Sequence, residues 1–161
     1  MITLEQLLQS RDERARLQQD LLGRFPGRSL VCLTVQLPGP EKRNSHSLVI
    51  GHAGVKALAD AFGADPEVRD LETGFEAYLT VPIPATDAKR LCCGIEDSHP
   101  LGRLMDIDVI TWDGPMGRDS IGMEPRKCLL CDKPARWCMR ARTHTVEELL
   151  NRIGQMVEAY V

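Results

Sequence analysis

The sequence predicts one domain over residues 1–161, of α/β or α+β class, with a mixed sheet flanked by helices and a C-terminal helix. Three observations carry this. Helix-like and strand-like patterns alternate as helix–strand–helix–strand–helix–strand before a final helix, the order of a layered domain with one sheet. No internal repeat and no long linker divides the chain, and 161 residues is the length of one ordinary domain. The last helix has both a start signal and a sustained apolar stripe.

Thr3 to Phe25 reads as a helix. Thr3 and Gln6 stand at capping-box spacing, and Leu4, Leu7, Leu8, Ala15, Leu21 and Leu22 keep a mostly helical spacing. Its charged centre, Arg11-Asp12-Glu13-Arg14, is expected in water, and Gly23 with Pro26-Gly27 ends it. Ser29 to Leu37 is rich in leucine and valine and reads as a strand. Pro38-Gly39-Pro40 stops it, because proline has no N–H for a ladder. Glu41 to Ser47 is expected as a loop carrying Lys42, Arg43, Asn44 and His46. A helix from about Ala53 to Phe62 puts Val55, Leu58, Ala59 and Phe62 on one face, with Gly63 suited to its end.

Phe75 to Ile83 is the second expected strand. Thr86 to Ile95 is a helix with Ala88, Leu91, Cys92 and Ile95 as its stripe. Leu104 to Trp112 is the third strand, nearly continuously apolar except for Asp106 and Asp108. Gly114 to Pro125 reads as a loop, and Lys127 to Arg142 as an irregular, cysteine-bearing segment. Thr145 opens the last helix. It forms a capping box with Glu148, and Val146, Leu149, Leu150, Ile153, Val157 and Tyr160 recur at intervals of mostly three and four.

Composition narrows the function. Hydrophobic residues are 43% and charged residues 27%, which is globular and not disordered. Net charge is −3, which argues against a general nucleic-acid coat protein, and 4% aromatics offers little stacking platform for bases. No apolar run approaches the ~20 residues of a membrane helix. The N-terminus lacks a basic region followed by an apolar core, so no signal peptide is expected and the cytoplasm is the expected compartment. The cysteines, Cys32, Cys92, Cys93, Cys128, Cys131 and Cys138, are then expected as thiols or metal ligands.

Three constellations can carry chemistry. Asp106 and Asp108 sit two apart on a strand, so both point to one face while Ile107 and Val109 point into the core. Two adjacent carboxylates are costly unless compensated, and a hard cation such as Mg²⁺ compensates them; the alternative is an edge strand with one solvated acidic face. This strand is similar to the metal strand of nucleotidyltransferases. His99-Pro100-Leu101-Gly102-Arg103 precedes it, with Gly102 able to admit a ligand and Arg103 and His99 able to face phosphate. The alternative is a loop whose arginine pairs with Asp106 or Asp97. Cys128, Cys131, Cys138 and His144 have the types and spacing of a Cys₃His zinc site, which would be structural because no coordination position stays open. The alternative is three reduced cysteines in a loop–helix segment. Lys42 and Arg43, leaving the first strand, form a weaker phosphate-binding candidate.

Four segments together resemble the holo-citrate lyase synthase family, the apo-citrate lyase phosphoribosyl-dephospho-CoA transferases. They are Arg11-Asp12-Glu13-Arg14; Leu37-Pro38-Gly39-Pro40-Glu41-Lys42; His99-Pro100-Leu101-Gly102-Arg103-Leu104 with Asp106-Ile107-Asp108-Val109; and Arg126-Lys127-Cys128 through His144. The resemblance implies a nucleotidyltransferase-like fold. It implies transfer of a phosphoribosyl-dephospho-CoA unit from triphosphoribosyl-dephospho-CoA to a serine of the citrate lyase acyl carrier subunit, with release of pyrophosphate. Mg²⁺ on Asp106 and Asp108, with Arg103 catalytic, is the expected centre. Lys42, Arg43, His99, Gly102, Arg11 and Arg14 are expected around the substrate. Glu76, with Glu72 behind it, is the candidate third carboxylate. A related transferase for a malonate decarboxylase carrier, and a non-enzymatic zinc-bearing interaction module, are the rival readings.

Overall fold

The computed structural model describes residues 1–161. Dense leucine and valine make Ser29–Val35 a strand, β1, which lies at the middle of the sheet with nearly every residue buried. The other strands are β2 (Glu67–Leu71), β3 (Gly74–Val81), β4 (Asp106–Thr111) and β5 (Gly114–Pro115), in the spatial order β2-β3-β1-β4-β5. The helices are α1 (Leu4–Arg24), α2 (Ser45–Phe62), α3 (Ala85–Ser98), α4 (Ala135–Ala141) and α5 (Val146–Tyr160).

The class is α+β, and the sheet is antiparallel at every pairing rather than mixed. The reason is β2, which the sequence reading did not anticipate. β2 and β3 form a hairpin, so the chain reverses once more before β3 and enters antiparallel to β1. α3 then returns the chain so that β4 pairs antiparallel with the other side of β1. β2 escaped detection because Glu67-Val68-Arg69-Asp70-Leu71 is mostly charged, a composition that suits an exposed edge strand.

Three other elements differ from expectation, the first being β5, which opens the segment expected as a loop from Gly114 to Pro125. α2 starts at Ser45, not near Ala53, because Asn44 and Ser47 form a reciprocal capping box that ends the loop early. Within it Gly51 is needed for contact: a Cβ there would lie 2.5 Å from the Phe75 ring. Ala135–Ala141 is helical, within the segment expected to be irregular. The capping boxes at Thr3 and Thr145 are present as the spacing predicts.

The pleat sorts the side chains to two faces. Val31, Leu33, Val35, Phe75, Ala77, Leu79, Val81, Ile107 and Val109 face the main core, against Ile50 and Leu58 of α2, Ala88 and Cys92 of α3, and Ile153 and Val157 of α5. The opposite face packs Leu30, Cys32, Tyr78 and Ile110 on Leu21 of α1. This smaller core covers only part of that face. Beyond it, at the N-terminal end of β4, the same face carries Thr34, Glu76, Asp106 and Asp108.

Candidate active site

Register places the polar residues in rows. Thr34 of β1 lies between Glu76 of β3 and Asp106 of β4, and Cys32 lies between Tyr78 and Asp108. Asp106 is exposed and Asp108 half-buried, while Ile107 and Val109 between and beyond them are fully buried on the other face. No cation forms an ion pair with either aspartate. Burial first, and the Asp106 charge second, push the Asp108 carboxyl up to about 6, against the pull of Lys89 and Arg14. An unneutralised carboxylate pair at the surface of a rigid strand fits a divalent cation.

Glu76 does not join that pair. It lies two strand spacings, about 10 Å, from Asp106 across the sheet. Its side chain is buried, accepts the Tyr78 hydroxyl at 2.7 Å, and lies 3.8 Å from the Arg14 guanidinium. Glu72 is exposed and sits 3.8 Å from Arg43. Both candidate third carboxylates thus lie beside arginines, Glu76 near Arg14 and Glu72 near Arg43.

The expected cations separate into two groups. Arg14 stands over the acidic face, close enough to pull down the proton affinities of Asp108 and Cys32. Lys42 donates to the Leu37 carbonyl at 2.8 Å, and burial and the Arg11 charge lower its pKa. Arg11, Arg14 and Lys42 thus gather at the end of the sheet where β4 begins. Arg43 is committed elsewhere: its guanidinium grips Asp70 of β2 through bonds of 2.9 and 3.0 Å.

The turn before β4 also departs from expectation. Arg103 donates through Nε to the Lys127 carbonyl at 2.8 Å and makes no ion pair with Asp106, Asp108 or Asp97. Burial first, then the Arg126 charge, lower its pKa. His99 Nδ1 accepts the Leu101 amide and its ring lies 5.5 Å from that of Tyr160, so it ties the turn to α5. Gly102 is required by the chain itself, because a Cβ would collide with the Ile95 and Glu96 carbonyls. The turn is therefore built into the scaffold that delivers Asp106, and Arg103 also lines a surface cavity with Arg118, Arg126 and Lys127.

Residues that the sequence reading missed hold this scaffold. β5 pairs with β4 only at Ile110 and Thr111, which leaves the outer edge of Ile107 without a strand neighbour. Two α3 side chains fill it: Glu96 accepts the Ile107 amide at 2.9 Å and Lys89 Nζ points at the Ile107 carbonyl at 3.4 Å. Glu96 also takes Arg118 at 2.8 Å and Arg126 at 3.3 Å. Arg126 in turn donates to the carbonyls of Met105, Gly102 and Arg103. A signal was present. Lys89 and Glu96 are seven apart, so both fall beside the Ala88–Cys92 stripe of a buried helix face.

The Cys/His residues come together. The ligand atoms of Cys128, Cys131, Cys138 and His144 all lie within 4.8 Å of one another, with Cys131 Sγ 3.5 Å from Cys138 Sγ. The ligand atoms of a tetrahedral Zn²⁺ lie about 3.3–3.8 Å apart. His144 Nε2 is buried with no hydrogen-bond partner, which a native protein rarely tolerates. Burial raises the Cys128 thiol, and the Leu130 and Cys131 amides and the neighbouring thiols outweigh it, bringing it down to about 7. The cluster has the donor set to hold a metal such as zinc.

Comparison with known proteins places the chain in a family. The sequence model of the family described as apo-citrate lyase phosphoribosyl-dephospho-CoA transferase matches residues 2–160. An Escherichia coli O1:K1 protein named apo-citrate lyase phosphoribosyl-dephospho-CoA transferase is 40% identical over 97% of this chain and 88% of its own length. A Streptococcus pyogenes serotype M18 protein named as a probable transferase of the same kind is 35% identical over 99% of this chain and 87% of its own. Protein CitXG of Haemophilus influenzae is 35% identical over 98% of this chain, which spans 35% of that longer protein. The chain belongs to the apo-citrate lyase phosphoribosyl-dephospho-CoA transferase family, and is a transferase acting on apo-citrate lyase.

Proposed function

We propose that Asp106 and Asp108 are the centre at which this transferase joins a phosphoribosyl-dephospho-CoA unit to a serine of the citrate lyase acyl carrier subunit. The single observation that supports the reading most is the unpaired acidic pair on a rigid strand, with Arg14 of α1 close to it. The donor is triphosphoribosyl-dephospho-CoA. The serine oxygen forms a bond to the phosphorus that carries the ribosyl group, the bond from that phosphorus to the bridging oxygen breaks, and pyrophosphate leaves. Such a displacement needs positioning and charge stabilisation more than a protein nucleophile.

Asp106 and Asp108 fit Mg²⁺, which when bound would screen the phosphates from the incoming oxygen and neutralise the departing charge. Arg14, Arg11 and Lys42 supply positive charge beside it. Glu76 keeps Arg14 in place over the sheet. Zinc on Cys128, Cys131, Cys138 and His144 has a structural part, since four protein ligands leave no open position for substrate. The proposed compartment is the cytoplasm. No helix is long and apolar enough to cross a membrane.

The test is the intact mass of the apo-carrier after incubation with the protein, triphosphoribosyl-dephospho-CoA and Mg²⁺. A gain equal to the phosphoribosyl-dephospho-CoA unit, with stoichiometric pyrophosphate, is expected. An unmodified carrier, or modification that survives loss of both aspartates, overturns the reading.

A further inference from the structure

The Cys/His segment carries a charge of its own. Residues 126–142 hold Arg126, Lys127, Lys133, Arg136, Arg140 and Arg142 against one acid, Asp132, in a chain whose net charge is −3. Arg126 is spent on the β4 turn, but Lys127, Lys133, Arg136, Arg140 and Arg142 are exposed. None of these five is in an ion pair. Like charges gathered this way repel one another, and Asp132 is the one acid among them.

Apolar surface is interleaved with the charge. Trp137 is 48% exposed and Met139 78% exposed, both on α4 among the arginines. Lys133 Nζ lies 4.0 Å from the centre of the Trp137 ring. Tryptophan, methionine and arginine are the residues that protein interfaces concentrate. The patch is also fastened to the proposed centre: Arg126 bonds the Met105 carbonyl beside Asp106, and Arg103 bonds the Lys127 carbonyl.

We infer that α4 and its flanks are the docking surface for the carrier subunit, and that they recognise an acidic face of that protein bearing apolar side chains. The inference rests on the function proposed above. Charge complementarity selects the partner: uncompensated cations require an acidic surface, and the exposed Trp137 and Met139 require apolar groups beside the acids. The zinc ligands Cys131 and Cys138 bracket Lys133, Arg136 and Trp137, so the metal would fix the patch that the carrier meets. Docking there would bring the carrier's serine toward the strand end that holds Asp106.

The test compares wild type with Arg136→Glu/Arg140→Glu and with Trp137→Ala, varying apo-carrier and triphosphoribosyl-dephospho-CoA separately. The charge-reversed variant should raise the carrier KM on the order of tenfold to a hundredfold, with kcat and the KM for the precursor within about twofold. Trp137→Ala should raise it about tenfold. Arg136→Lys/Arg140→Lys should restore the carrier KM, which a merely destabilised α4 would not do. An unchanged carrier KM overturns the docking surface, and so does a rise in the precursor KM alone, which would assign the patch to phosphate. If wild type does not modify the carrier at all, the proposed function fails and the docking inference falls with it; transfer by wild type with unaltered variants removes only the docking surface.

Discussion

Glu96 accepts the Ile107 amide at 2.9 Å, from outside the sheet and one residue from each aspartate of the acidic pair. With Lys89 at the Ile107 carbonyl, a helix supplies the hydrogen bonds that a neighbouring strand would otherwise supply. The edge is thereby satisfied, and the strand that presents both aspartates to one face of the sheet is held in place.

Glu96→Ala removes the partner of the Ile107 amide and the carboxylate that Arg118 and Arg126 share, while Arg118 keeps Asp97 at 3.0 Å and Arg126 keeps three carbonyls. Leaving the buried amide unpaired costs ~1–3 kcal/mol. Glu96→Gln keeps an acceptor for Ile107 and should lose less. Denaturant titration of both variants checks this; equal losses would mean that the charge, and not the Ile107 bond, carries the effect.

Asp106→Asn and Asp108→Asn should each lower transfer on the order of a hundredfold or more, because each weakens the cation site. Both should fold, and Asp108→Asn should gain stability, since the half-buried charge beside Asp106 is gone. Carrier mass after timed incubation gives the rate. Near-normal turnover in both variants removes the strand from the chemistry.

The Asp108 carboxyl holds its proton more tightly when folded, up to about 6 against an ordinary value of 3.8. The folded chain therefore binds more protons than the unfolded one between those values. In metal-free protein this contribution to stability is present at the acid end and is lost as pH rises through about 6. Transfer has the opposite dependence, since the cation needs the carboxylate, so activity at limiting Mg²⁺ should fall below about pH 6. Thermal melts of wild type and Asp108→Asn from pH 4 to 7 isolate the stability effect; parallel curves would show that Asp108 does not titrate there.

Zinc removal should loosen α4 and α5 first, because Cys138 lies in α4 and His144 directly precedes the Thr145 cap of α5. Binding energy at such a site is folding energy. Chelation should lower the melting temperature, and His144→Ala should do the same while leaving no stoichiometric metal. Elemental analysis of the purified protein decides it. Absence of metal together with reactive Cys128, Cys131 and Cys138 thiols would leave three reduced cysteines and a histidine packed without a ligand.

Lys42→Ala should weaken the precursor by about one to two decades, the usual worth of a charge-assisted contact of ~1.5–3 kcal/mol. Arg43→Ala should leave precursor affinity alone and loosen β2, since its partner is Asp70. Direct titration of the precursor against both separates them, and equal weakening would contradict the division of the cations.

The strands of the sheet centre are legible along the chain, because Ser29–Leu37, Phe75–Ile83 and Leu104–Trp112 are too apolar to be anything but covered. So are the capped ends of α1 and α5, where the signal is local. Asp106 and Asp108 fall on one face, because pleat alternation needs no tertiary information, and spacing groups Cys128, Cys131, Cys138 and His144. Tertiary structure decided what those patterns leave open. A charged edge strand, β2, has no apolar period to read, yet it reverses the chain and makes the sheet antiparallel. The partners of a charge are equally invisible along the chain. Arg103 adjoins the acidic strand in sequence but bonds the Lys127 carbonyl 24 residues on, while Arg14, far away in sequence, stands over Glu76 and Asp108. Long side chains choose partners by where helices and strands pack, and that choice exists only once the chain has folded.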